Sequence, residues 1–144
     1  MKKKILIFFQ IILIVFIGIV LFKTQYHFDD VQKIALSFIT EIQNGEMSKA
    51  YELTDHGNSI GNTFEEFSNL QDISAIKNKL GKIELQSISP MQTIGNRLKR
   101  IIKRMQIEPE SVLLDYSISG IPLLIILKNK ESKWSIVRVE IHAG

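Results

Sequence analysis

The longest apolar stretch in the chain is the first one. From Ile5 to Phe22 the sequence reads ILIFFQIILIVFIGIVLF, with no charge and Gln10 as its one polar side chain. As a helix it extends about 27 Å, close to the hydrocarbon thickness of a bilayer. The stretch is apolar on every face, so Ile5, Phe9, Leu13, Phe16, Val20 and Phe22 are expected to meet lipid as a transmembrane anchor. The competing pattern, a cleaved secretory signal, has a shorter apolar region followed by small residues. Here bulky residues, Leu21-Phe22-Lys23-Thr24-Gln25-Tyr26, stand where a peptidase needs small ones, so an uncleaved anchor is expected.

Beyond a short linker, residues 23–28, the apolar period becomes helical. Asp29 or Asp30 can cap a first helix, along which Val31, Ile34, Ala35, Phe38 and Ile42 form a stripe that Asn44-Gly45 ends. A short helix from Met47 to about Thr54 groups Met47, Ala50, Tyr51 and Thr54, and the turn residues from Asp55 to Asn62 form a loop. Thr63-Phe64-Glu65-Glu66 reads as a capping box opening a third helix that runs to Gly81, with imperfect spacing and a break expected near Asp72.

After Gly81 the period shortens towards two. Ile83, Leu85 and Ser87 alternate with polar residues in a half-buried strand ending at Ser89-Pro90. Val112, Leu114, Tyr116 and Ile118 mark a second strand. Leu123 to Lys128 is apolar on both faces, as for a central strand. The polar loop Asn129–Ser132 leads into Trp134 to Ile141, with Ser135, Val137, Val139 and Ile141 on one face. Helices first and an antiparallel meander afterwards is an α+β pattern, one domain over residues 29–144. Between the strands, Leu98, Ile101, Ile102 and Met105 recur at helical spacing among Arg97, Lys99, Arg100, Lys103 and Arg104; as a helix this stretch is basic and amphipathic, an insertion where a strand is otherwise due, and a strand is the other reading.

Charge sharpens the topology. Of 18 basic side chains three are Lys2, Lys3 and Lys4, so the remainder balances the 15 acidic residues and the formal charge of +3 lies wholly in the N-terminal tip. Residues 1–4 are then expected in the cytoplasm and the domain periplasmic or extracellular, by the positive-inside rule. A neutral domain on that side gives no reason to expect nucleic acid as a partner. The absence of cysteine excludes disulfides, thiolate chemistry and an N-terminal lipidated cysteine.

Candidate chemistry is thin. His27, His56 and His142 are isolated, with no pair at the spacing that puts two imidazoles on one helix face, and no cofactor or metal is expected. Asp115, Tyr116 and Tyr51 are the available parts for proton transfer with oxyanion stabilisation, but Asp115 and Tyr116 are strand neighbours and face opposite ways. Tyr51 is expected to bury its ring and keep its hydroxyl at the edge. The basic Arg97–Arg104 stretch is a candidate contact for anionic lipid or an acidic partner. The alternative is a solvated helix covering one side of the sheet, its basic stems over apolar neighbours.

Phe38…Asn44-Gly45, Ala50-Tyr51, Phe64-Glu65-Glu66-Phe67, the Ile83–Ile88 strand and the closing Lys133-Trp134-Ser135-Ile136 follow an order that resembles the nuclear transport factor two-like (cystatin-like cone) superfamily, over roughly residues 29 to 142. It is most similar to small exported bacterial domains of that type, and the Arg97–Arg104 stretch departs from the pattern. The resemblance implies helices packed on a strongly curved antiparallel sheet, with a conical pocket that Tyr51, Phe67 and Trp134 are candidates to line. Asn78-Lys79-Leu80-Gly81 is also similar to a passage in membrane-anchored assembly factors of respiratory complexes and translocases.

The expected function is a membrane-tethered, non-enzymatic binding or assembly domain at the outer face of the cytoplasmic membrane. Its expected partners are the bilayer and a membrane or envelope protein, with self-association as a further option. The alternative is a small-ligand-binding or catalytic cone-fold protein.

Overall fold

A computed structural model of the chain describes residues 2–23, 25–103 and 109–141, without the side chains of residues 2–4, 6 and 23. The chain divides into two compact units. One joins Met1–His27 to Met91–Glu108, and the other joins Phe28–Pro90 to Pro109–Gly144.

The larger unit is α+β. Helix α2 (Asp29–Gln43) turns Val31, Ala35, Phe38, Ile39 and Ile42 into the core. Its N-cap is Phe28 rather than an aspartate. Asp29 and Asp30 occupy the first turn, where their charge suits the helix dipole without a side-chain cap. Asn44 caps the C-terminus and Gly45 follows in the left-handed region, as the sequence predicts. Helix α3 (Met47–Glu52) is shorter than expected, because Thr54 pairs instead with Ile136 as an isolated parallel bridge.

Thr63 caps α4 (Phe64–Asn69), its hydroxyl accepting from the Glu66 N–H at 3.2 Å. The Glu66 carboxylate reaches one residue further back than a capping box prescribes and accepts from the Asn62 N–H at 2.8 Å. Extended backbone at Leu70 separates α4 from α5 (Gln71–Lys77), so the expected break comes just before Asp72. Gly61, in the left-handed region, lets the loop pass so close to α4 that a Cβ there would sit 2.5 Å from the Phe67 nitrogen.

Strands β1 (Ile83–Ser89), β2 (Ser111–Ile118), β3 (Ile121–Lys130) and β4 (Lys133–Ile141) form an antiparallel sheet in sequence order. The core lies between this sheet and the helices. Val112, Leu114, Tyr116 and Ile118 of β2, with Leu123, Ile125 and Leu127 of β3, supply its sheet side. Two bulges correct the expected alternation. In β4 the extra residue is Val137, so Leu127 pairs with Ile136 and Ile125 with Val139. The inward set is therefore Trp134, Ile136, Val139 and Ile141, not the single run of odd-numbered positions the sequence predicts. In β1 the extra residue is Gln86, so Ile88 rather than Ser87 packs on the core with Ile83, and Leu85 stays exposed.

The free edge of β4 is capped from the helical side. The Ile136 N–H donates to the Leu53 carbonyl and its carbonyl accepts from the Asp55 N–H, both at 2.9 Å. The Ile141 N–H donates to the Asp72 carboxylate at 3.1 Å. Pairing the edge this way removes a template for strand addition.

The smaller unit contains α1 (Lys2–Lys23) and α6 (Ile94–Ile102), the latter capped by Thr93. Among the described residues no helix is long and apolar enough to cross a membrane. The described helix thus does not support the expected anchor over Ile5–Phe22, and the α+β body is the part of the expected architecture that stands. The inserted helix is observed, and it groups with α1 and not with the sheet that the alternative reading had it cover. Arg104 and Met105 lie outside the described residues, as does His142.

Both hairpins close through two residues with positive φ: Ser119 at 51° with Gly120 at 86°, and Glu131 at 52° with Ser132 at 66°. That twist suits a tight hairpin, but Glu131 and Ser132 carry a Cβ in the left-handed region, at a cost of about 1 kcal/mol or more each. Replacing Glu131-Ser132 by Asn-Gly is expected to raise stability by about 1–2 kcal/mol. A urea titration of the full chain in detergent, followed through its single tryptophan, Trp134, measures this; an unchanged or lower midpoint would refute the strain.

Candidate functional site

The three candidate pocket residues fall in two places. Phe67 is fully buried, with its ring 6.2 Å from Phe38 and 5.2 Å from Tyr51. Tyr51 is half-buried; its hydroxyl donates to the Asn62 carbonyl at 2.9 Å, and its ring stacks on His56 at 4.2 Å between centroids. This is the edge position the sequence predicts for it. Trp134 lies instead on an open groove of about 480 Å³ lined by Asp30, Lys33, Ile34, Ser37, Leu53, Ser132 and Lys133, a set that includes neither Tyr51 nor Phe67.

The parts for proton transfer are dispersed as well. Tyr116 is buried in the core while Asp115, its neighbour on β2, is half-buried on the opposite face. The Tyr116 hydroxyl has no hydrogen-bond partner among the described residues, and burial pushes its phenol up to about 12. A sealed hydroxyl of this kind is a packing group, not a donor to a ligand. His56 is exposed in the loop, with Nε2 3.1 Å from the Tyr51 carbonyl. No cluster of three metal-binding side chains occurs among the described residues.

The basic helix is arranged the opposite way round from a solvated amphipathic helix. Arg100 is only 7 % exposed; its guanidinium carbon stands 4.1 Å over the Tyr26 ring, and Nη2 donates to the Gln92 side chain at 3.2 Å. Gln92 in turn donates to the Tyr26 carbonyl at 2.9 Å. Arg97 is half-buried, its Nη1 3.5 Å from the Leu21 carbonyl in the last turn of α1. A cation there also suits the negative end of the helix dipole.

Lys99 and Lys103 are exposed. So are Ile94, Leu98, Ile101 and Ile102, with Ile102 at 79 %. The five candidate contact residues therefore do not act as one face. Arg97 and Arg100 are internal braces, Lys99 and Lys103 are available, and Arg104 lies outside the described residues. Sequence reading missed Tyr26 and Gln92, the partners that draw Arg100 inward. Tyr26 stands 74 positions from Arg100, and no spacing rule links positions so far apart.

No family model matches the chain, and neither a curated protein nor a solved structure matches it.

The Tyr116 phenol titrates higher in the fold than the 10.0 of a free tyrosine. Its protonated form is therefore favoured by folding, a contribution complete below pH 10 and lost as pH rises through about 12. Tyr116→Phe removes both the unpaired hydroxyl and this titration. The variant is expected to be at least as stable as the parent at pH 7 and to gain a further advantage of about 1 kcal/mol by pH 11, read from urea midpoints. A variant clearly less stable at pH 7 would mean that the hydroxyl has a partner.

Proposed function

We propose that this protein is a membrane-tethered, non-enzymatic binding or assembly domain, held by α1 at the outer face of the cytoplasmic membrane with Lys2, Lys3 and Lys4 inside. The observation that carries the reading is the surface of α1. From Ile7 to Ile19 its large apolar side chains are between 45 % and 68 % exposed, on every side of the helix. A helix apolar all round is stable inside a large core or in lipid, not in water. The candidate anchor residues Ile5, Phe9, Leu13, Phe16 and Phe22 are all exposed, and Val20 is half-buried.

The non-enzymatic part rests on how the candidate catalytic groups are used. The Tyr116 hydroxyl is enclosed by the core, the Tyr51 hydroxyl is committed to a backbone carbonyl, and Asp115 faces away from Tyr116. Tethering makes weak binding sufficient, because confinement near the bilayer raises the effective concentration for a membrane or envelope protein, or for a second copy. A cone-like body belongs to the same proposal. Its support is the element order and the bulges at Gln86 and Val137, which bend strands in the way a curved sheet requires.

One observation favours the alternative of a small-ligand-binding or catalytic cone-fold protein. The groove beside Trp134 combines an aromatic ring with Asp30, Lys33 and Ser37. An aromatic wall with a few convergent polar groups suits a small ligand.

The test uses the full chain in its native membrane. After an alkaline carbonate wash the unaltered protein is expected to stay with the membrane, and Leu13→Lys/Phe16→Lys to be released, each lysine opposing insertion by about 3 kcal/mol. Release of the unaltered chain would overturn the tether. Crosslinking of the membrane-held protein to one defined envelope protein, or to itself, supports assembly. A small molecule that co-purifies with the chain and is lost in Trp134→Ala would transfer the function to the groove.

A further inference from the structure

We propose that α6 is an interfacial helix: Ile94, Leu98, Ile101 and Ile102 enter the boundary between headgroups and acyl chains of an anionic bilayer, beside the point where α1 leaves it. The inference rests on the tether proposed above and assigns a second membrane contact to the same compact unit.

The orientation of α6 is the first ground. Its apolar side is exposed while its two arginines at positions 97 and 100 are drawn inward. Water would favour the reverse, with Arg100 solvated and the aliphatic side chains covered. Neither arginine is placed by chance. Arg100 is held by the Tyr26 ring and by Gln92, and Arg97 reaches the Leu21 carbonyl. These contacts fix the rotation of α6 about its own axis, and with it the direction its isoleucines face.

Continuity is the second ground. The arginine contacts attach α6 to the last turn of α1 and to the residues just after it, where a spanning helix would pass from hydrocarbon into headgroups. The exposed apolar surface of α1 lies in the same unit, and Met91, exposed just ahead of α6, extends the apolar set.

The third ground is charge. Lys99 borders the apolar face, about 60° round the helix from Ile102, so its stem can lie along that face while its ammonium group reaches anionic headgroups; Lys103 falls on the far side, towards Arg100. An apolar face with a lysine at its border suits a helix lying in a membrane surface. A protein partner would not require the proximity to the exit of α1 that a bilayer contact does.

The chain has no cysteine, so single-cysteine variants give clean spin-label sites. Leu13→Cys, Leu98→Cys, Ile102→Cys and Lys99→Cys, each in the full chain, are reconstituted into vesicles of equal parts phosphatidylcholine and phosphatidylglycerol. Collision of the label with oxygen, enriched in lipid, is compared with collision with a water-soluble nickel chelate. The proposal expects the labels at Leu98 and Ile102 to lose access to nickel and gain access to oxygen, at a shallower depth than Leu13, while Lys99 retains nickel access. A Leu13 label in lipid with Ile102 open to nickel overturns the interfacial helix and leaves the anchor intact. A Leu13 label open to nickel overturns the anchor reading, and this proposal with it. An Ile102 label shielded from both reagents means that protein covers the face; in vesicles holding this chain alone that would be a second copy, and the lipid assignment would fail.

Discussion

Successive side chains on a strand point to opposite faces, and the larger unit is built around that constraint. A helical layer offers one apolar surface, formed by Val31, Ala35, Phe38, Ile39 and Ile42 of α2 with Phe67, Ile73 and Ile76, and only one face of the sheet can meet it. β2 satisfies the constraint unaided, since Val112, Leu114, Tyr116 and Ile118 fall at strict alternation. β1 and β4 do not. Each needs one unpaired residue, Gln86 or Val137, to bring its second half back into phase. Without the extra residue Val139 and Ile141 would stand on the opposite face from Trp134 and Ile136, and half of the strand's contribution to the core would be lost.

That constraint also explains what could be read in the sequence. Element type and order were legible, because helical and strand periods differ and Asn44-Gly45, Thr63 and Ser89-Pro90 punctuate them. The break in the third helix was legible from faulty spacing near Asp72. The phase of β1 and β4 was not. A bulge is a property of two paired strands, and Val137 looks inward when β4 is read alone. The N-cap of α2 was misread because Asp29 and Asp30 satisfy the charge preference of a first turn as well as that of a cap.

The basic stretch showed helical spacing at Leu98, Ile101 and Ile102, but the sequence left helix and strand both open there, and it gave no direction for the charged side. Amphipathicity fixes the angle between the charged and apolar sides but says nothing about which side faces inward. That choice was made by Tyr26 and Gln92, which give Arg100 a ring and an amide to face. The candidate pocket failed for a related reason. Tyr51, Phe67 and Trp134 are all aromatic residues near the helix–sheet boundary, but Phe67 is held in the core by Phe38 and Tyr51, while Trp134 sits at the start of β4 on a different groove.

The proposed bilayer contact bears directly on the energetics of the smaller unit. Exposing Ile94, Leu98, Ile101 and Ile102 to the extent seen forgoes on the order of 3–7 kcal/mol of burial. The cation–π contact of Arg100 returns about 2 kcal/mol at most, and its hydrogen bond to Gln92 a similar amount. In water the two sides of this balance are of similar size. In the proposed contact with a bilayer the aliphatic side chains of α6 would enter an apolar medium, while Arg100 keeps its contacts with Tyr26 and Gln92 and Lys99 stays at the polar boundary. The proposed bilayer would account for both the apolar surface of α1 and the inverted helix of the same unit.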